Sequence, residues 1–177
     1  MPNTKGEKIF FGILMSVLMA LGMEVYNVAF KMGYNSMPGG LSSMTNAVFP
    51  DALKEAAFMW IFVFIFSNLW GNRIGHMLAA RIIRPEKDNP FFITLMISGC
   101  TVLIMCPTMS LVASILFNVC LGGAPIMQLP AIWIGTVMKN FPMALLWNLF
   151  AAGPLARLIF RGVCRRNIQL KSAEDSI

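Results

Sequence analysis

Charge is scarce in this chain: Asp, Glu, Lys and Arg make up 12% of its 177 residues, and only 8 residues are acidic. Set beside 57% hydrophobic residues, that deficit excludes an ordinary soluble domain, in which roughly a quarter of residues are charged. Histidine is nearly absent, His76 being the only one, so a single chain offers no His-based metal centre and no His-dependent catalytic triad. The four cysteines, Cys100, Cys106, Cys120 and Cys164, show no CxxC or zinc spacing, which argues against a disulfide framework. Period-two alternation is missing as well, which removes a membrane β-barrel. There is no nucleotide loop, no spaced carboxylate pair and no nucleophile–base set, so neither an enzyme nor a cofactor is expected.

What the chain does have is long apolar runs. Four of them cover about 9–30, 53–72, 91–117 and 131–154, each near the ~20 residues a helix needs to cross hydrocarbon at 1.5 Å per residue. Helices satisfy every backbone group in lipid without outside partners. The expected fold class is therefore an all-α integral membrane protein with four transmembrane helices. The first run is too long for a signal peptide, carries Glu24, and lacks a small-residue cleavage site before Lys31.

The few charges are unevenly placed. Lys5 and Lys8 precede the first run, and Arg73, Arg81, Arg84 and Lys87 join the second to the third. Arg157, Arg161, Arg165, Arg166 and Lys171 follow the fourth, so eleven of the fourteen basic residues share one side. Lys31 and Lys54 fall opposite, and Lys139 lies inside the fourth run. The positive-inside rule then places both termini in the cytoplasm, with the chain in the plasma membrane. The net charge of +6 follows from this topology and gives no reason to expect nucleic acid as a partner.

The two halves resemble each other. Ser16–Met23 sets against Ser98–Met105, Phe49-Pro50 against Leu129-Pro130, Asn68-Leu69 against Asn148-Leu149, and Arg81 against Arg161. The organisation is two helical hairpins, 1–85 and 86–166, followed by a polar cytoplasmic tail, 167–177. Because each hairpin starts and ends on the same side, the repeats are parallel, related by a pseudo-two-fold along the membrane normal. Trp147-Asn-Leu-Phe-Ala-Ala-Gly-Pro-Leu-Ala-Arg157, the opening of the first and third helices, and the roughly 80-residue repeat resemble the small bacterial membrane proteins grouped as domain of unknown function 2798. The first copy departs from that pattern, with Gly71-Asn-Arg-Ile-Gly75 in place of the Ala-Gly-Pro element. The resemblance implies a multi-pass membrane protein and brings no activity or site with it.

Ionisable groups at membrane depth are functional candidates because they are costly unless paired. Glu24 and Lys139 lie at matching depth near the outer ends of the first and fourth helices, so an ion pair between them is physically reasonable, as a bridge between the hairpins or as a ligand site, the alternative being Lys139 snorkelling outward with no partner. With Asn27, Cys106, Thr108 and Asn140 they form a candidate outer-half site for a small solute or ion. Pro107 and Pro142 are expected to kink their helices, since proline lacks an N–H and displaces a carbonyl one turn back. Asn68 and Asn148, equivalent in the repeat, are expected to face each other and join the hairpins. Met15, Met19 and Met23, with Met105, Cys106 and Met109, form soft-ligand stripes that suit Cu(I) but equally serve as packing. The metal therefore stays unknown. Arg73, Arg81, Arg84, Arg157, Arg161 and Arg165 suit anionic lipid headgroups, or a phosphorylated or carboxylate substrate.

Three functions remain open: a small transporter or binding protein using the outer polar site, a non-transporting subunit that holds lipid or a protein partner at its basic ends, and Cu(I) handling. A homodimer is expected on the ground that four helices alone enclose little space.

Overall fold

The computed structural model describes residues 5–84 and 89–174, with the side chains of 90, 91 and 164–174 left out of account. Four helices in it are long and apolar enough to cross a membrane: α1 (Lys5–Lys31), α2 (Val48–Ile82), α3 (Phe92–Leu121) and α4 (Ile126–Val163). No strand occurs among the described residues. The runs read from hydropathy are thus all helical, but α2 and α4 extend well beyond them. At 1.5 Å per residue their 35 and 38 residues reach roughly 50–57 Å, so each outruns a ~30 Å hydrocarbon layer.

Neighbours pack in ring order. α1 lies on α2, α2 on α3, α3 on α4, and α4 returns to α1. The start of α1, the ends of α2 and α4 and the start of α3 share one end, the basic end, which carries Arg73, Arg81, Arg84, Arg157 and Arg161. The 32–47 and 122–125 connections form the far end.

Each hairpin's second helix contains a π turn, Ser67–Gly71 in α2 and Asn148–Ala152 in α4. A π turn inserts an extra residue into the helical repeat and so re-aims the side chains beyond it. Between the far end and its π turn, α2 packs mainly on α1; beyond the turn, Asn72–Ile82 packs on α3. α4 repeats this in mirror order of partners, lying on α3 first and on α1 after its turn. Two indoles on α4 mark the exchange. Trp133 Nε1 donates to the Pro107 carbonyl on α3 at 2.9 Å, and Trp147 Nε1 donates to the Leu18 carbonyl on α1 at 2.9 Å.

Small residues fill the interior. Ala20, Ala29, Ala52, Ala56, Ala79 and Ala144 are buried, while Phe58, Ile65, Leu69, Leu103, Met138 and Phe150 are exposed. In water this distribution would forfeit most of the hydrophobic stabilisation; in lipid, close backbone approach is what associates helices. Gly75 of α2 shows how close: a Cβ there would stand 2.8 Å from the Thr101 Cα of α3.

The far-end connection 32–47 folds into two short 3-10 turns, Tyr34–Ser36 and Gly40–Ser43. Gly33 and Gly39 take φ of 80° and 89° to make them, a region where a Cβ would be strained. Tyr34 is buried with Val28, Ala29, Val48 and Ala52, and its hydroxyl hydrogen-bonds Thr45 Oγ1 at 2.7 Å. The connection therefore packs on its own hairpin, and none of its residues lines the central cavity. Pro107 sits inside a continuous α-helical stretch, Pro90–Ala113, and Pro142 inside Leu129–Trp147. Beside the first of these, Thr108 Oγ1 donates to the Ile104 carbonyl at 2.9 Å, one residue beyond the Leu103 carbonyl that Pro107 leaves without an N–H.

Candidate functional site

A cavity of about 640 Å³ runs between the four helices, within the roughly 300–1,000 Å³ typical of small-ligand sites. Glu24 and Asn27 line it toward the far end, and Arg157 and Arg161 toward the basic end. One chain therefore surrounds a half-open space of ligand size, where four helices were expected to enclose little.

Helical spacing places the lining. Met15, Met19 and Met23 recur every four residues on the α1 face turned inward, and Met105 and Met109 do so on α3. Ser16, Glu24, Cys106, Ser110, Asn140 and Asn148 share the lining and are all buried. Two of these are unsatisfied: the amide oxygens Oδ1 of Asn140 and Asn148 have no hydrogen-bond partner, although the residues are 4% and 6% exposed. An unpartnered buried acceptor costs about 1–3 kcal/mol.

Of the six residues expected to form the outer-half site, Glu24, Asn27, Cys106 and Asn140 line the cavity. Thr108 and Lys139 do not. Thr108 spends its hydroxyl on the Ile104 carbonyl of its own helix. The expected Glu24–Lys139 ion pair is also absent among the described residues. Lys139 Nζ instead lies over two α1 rings, 5.0 Å from the centre of Phe30 and 6.0 Å from Tyr26, and the Tyr26 hydroxyl donates to the Lys139 carbonyl at 3.3 Å. Matching depth was not enough, because the two side chains leave their helices in different directions. A cation–π seat is worth about 0.5–2 kcal/mol. Lys139→Met is accordingly expected to lower stability by no more than about 2 kcal/mol, read from thermal melting in detergent; a larger loss would mean that the ammonium has a buried anionic partner.

Glu24 finds its partners within its own repeat. Its carboxyl lies close to the side chains of Glu55 on α2 and Asn27. The sequence shows no spaced carboxylate pair, but the fold brings these two carboxyl groups near one another. Glu55 in turn accepts from Lys31 Nζ at 2.8 and 2.9 Å, and that ammonium also lies 3.9 Å from the centre of the Phe117 ring on α3. Lys31 and Glu55 were missed by sequence reasoning. The available signal was their placement on the same side of the membrane, one at the end of α1 and one in the opening turns of α2. Asp51, which could have capped α2, instead pairs with Lys54 at 3.0 Å.

Asn68 and Asn148 are not brought together. Asn68 is exposed and donates through Nδ2 to the Phe64 carbonyl at 2.7 Å, while Asn148 is buried against the cavity. The residue that opens the first π turn, as Asn148 opens the second, is Ser67, and Ser67 lines the cavity. The structural register of α2 against α4 is thus one residue from the one read in the sequence, and one residue on a helix is about 100° of rotation, enough to turn Asn68 outward.

The basic residues divide. Arg157 and Arg161 line the cavity, joined there by Asn72 and His76 of α2; Arg73 and Arg81 are exposed and do not. Arg84 is exposed near the end of α2. The Arg165 side chain and the tail at 175–177 lie outside the described residues.

No curated protein and no solved structure matches this chain. The family described as Domain of unknown function (DUF2798) matches it twice, over residues 4–83 and 86–164, the same halves that the shared π turns distinguish. The chain belongs to the DUF2798 family and consists of two tandem copies of its domain.

Proposed function

We propose that this protein is a multi-pass plasma-membrane protein, its basic end and both termini in the cytoplasm, that binds a small solute or ion in the cavity between its two repeats and carries it across. The observation that carries this reading is the pair of buried, unpartnered amide oxygens of Asn140 and Asn148, two residues of the lining of that cavity. With the Glu24 carboxyl in the same lining, these groups offer acceptors away from the basic end, which suits a cation or a neutral solute rich in donors. Basic residues gathered at one end support the orientation, and the inverted distribution of small and large apolar side chains supports insertion.

A ligand at a hundred times its dissociation constant stabilises the folded state by about 2.7 kcal/mol, which raises the melting temperature of a chain this size by roughly 5–10 °C. The purified protein in detergent is expected to show such a shift with at least one member of a panel of inorganic cations, amines and polyols. Asn140→Leu and Asn148→Leu are expected to remove that shift. A panel that leaves the wild type unmoved, or a shift that survives both changes, would sink the reading.

A second reading has its own observation, because the thioethers of Met19, Met23, Met105 and Met109 and the thiol of Cys106 face the same cavity. Such a lining suits a soft cation. Silver ion, as a stand-in for Cu(I), belongs in the same panel: a shift with silver that Met105→Leu and Cys106→Ser remove would select this reading over the hard-cation one.

A further inference from the structure

At the basic end, the groups lining the cavity are donors from two helices. Asn72 and His76 lie one turn apart on α2, and Arg157 and Arg161 one turn apart on α4. In the ring order α1–α2–α3–α4 these two helices are diagonal, so the pairs confront each other across the passage. Asn148 follows Ser67 by 81 positions, and Arg157 follows His76 by the same interval, which makes them equivalent residues of the two repeats. Among the described residues no carboxylate lines this end, the one acidic residue of the lining being Glu24 at the opposite end. Neither arginine has an ion-pair partner among the described residues.

Arginines at the end of a membrane helix ordinarily reach outward to headgroups, and Arg73 and Arg81 are placed for that. Arg157 and Arg161 are exposed too but also line the cavity at its basic end. Two guanidinium forks with an imidazole and an amide opposite supply the paired donors that the several acceptor oxygens of a phosphate or carboxylate take up. Behind them the lining turns apolar, with Phe11, Met15, Met19, Ala20, Val102 and Met105. Along α4 the cavity runs from Asn140 to Arg161, roughly 30 Å at 1.5 Å per residue, so its volume is drawn out along the bundle. A charged head seated at the arginines would have a flexible methionine-lined passage for a tail, and thioether side chains adapt well to one.

We infer that Asn72, His76, Arg157 and Arg161 form an oxyanion site for the phosphate or carboxylate head of a single-chain amphiphile whose tail runs into the passage between the repeats. The site is separate from the far-end polar groups and stands whether or not those bind a solute.

The test uses the full chain in an uncharged polyoxyethylene detergent, with native mass spectrometry reading binding of dodecyl phosphate and, separately, inorganic phosphate. One dodecyl phosphate per chain is expected, bound far more tightly than inorganic phosphate. Arg157→Gln with Arg161→Gln is expected to weaken it on the order of 100-fold, about tenfold for each charge-assisted hydrogen bond removed, while Arg73→Gln with Arg81→Gln leaves it within about threefold, as screened surface charges do. Met15→Trp, which fills the passage, is expected to weaken dodecyl phosphate and leave inorganic phosphate alone. All four arginines are exposed, so these variants keep the fold, and circular dichroism checks that they do. Equal loss from the two arginine pairs would reduce the effect to general surface attraction and overturn the site. Inorganic phosphate binding as tightly as dodecyl phosphate would overturn the tail passage and leave a free-oxyanion site, and no binding of either would overturn both.

Discussion

Trp147→Ala is expected to destabilise the protein by about 3 kcal/mol, the low end of the range for truncating a large buried aromatic, because the indole is half-buried. The indole occupies the space above Gly22 of α1 where a Cβ would otherwise stand, and its Nε1 donates to the Leu18 carbonyl at 2.9 Å. It is therefore the main wedge holding the second repeat's last helix against the first repeat's first. Removing it opens a cavity and releases a hydrogen bond in an apolar interior at once. Gly22→Leu attacks the same seat from the other side, so the two losses should fall well short of adding. Unfolding in detergent titrated with dodecyl sulfate, followed by circular dichroism, reads both. A loss below about 1 kcal/mol for Trp147→Ala would show that the repeats are held elsewhere.

Asn148→Leu should act in the opposite direction on stability and in the same direction on function. Leucine is close to isosteric with asparagine and has no acceptor to leave stranded, so the substitution is expected to stabilise the unliganded protein by about 1–3 kcal/mol, the cost of the unpartnered oxygen. It should abolish the ligand-induced rise in melting temperature. Stability bound up in an unsatisfied group is a common signature of a site shaped for an occupant. A destabilised Asn148→Leu would show that a neighbour or a fixed water satisfies the amide, and the case for a ligand at that depth would fall with it.

How much of this was legible in the residues depends on the range of the interaction. The four helices, the tandem repeat and the gathering of positive charge at one end were legible because each rests on a local run or on a count along the chain. The methionine stripes were legible as a period of four, and the fold turns them to a common cavity. The site was only half legible. Glu24, Asn27, Cys106 and Asn140 stood out as polar groups in apolar runs. Lys31 and Glu55 did not, because each lies near a helix end where a charge is unremarkable.

The errors share one cause. Depth along the membrane follows from residue number at 1.5 Å per residue, but direction around the helix axis changes by about 100° with each residue. Glu24 and Lys139 matched in depth and differed in direction, so Glu24 took Glu55 and Asn27 while Lys139 took Phe30 and Tyr26. Asn68 was placed one residue out of register with Asn148, which sufficed to put it on the outer surface.

The sequence by itself therefore determined that this is a chain of apolar helices in two repeated hairpins, with its basic ends together, because hydropathy, charge and repetition are properties of segments. Only the tertiary structure decided which faces meet. The π turns at Ser67–Gly71 and Asn148–Ala152 redirect α2 and α4 from one neighbour to the next, and that redirection selects Ser67 over Asn68, and Arg157 over Arg73, to face the interior. Packing between helices is a matter of rotation and close approach, summed over partners far apart in the chain, and no single segment carries it.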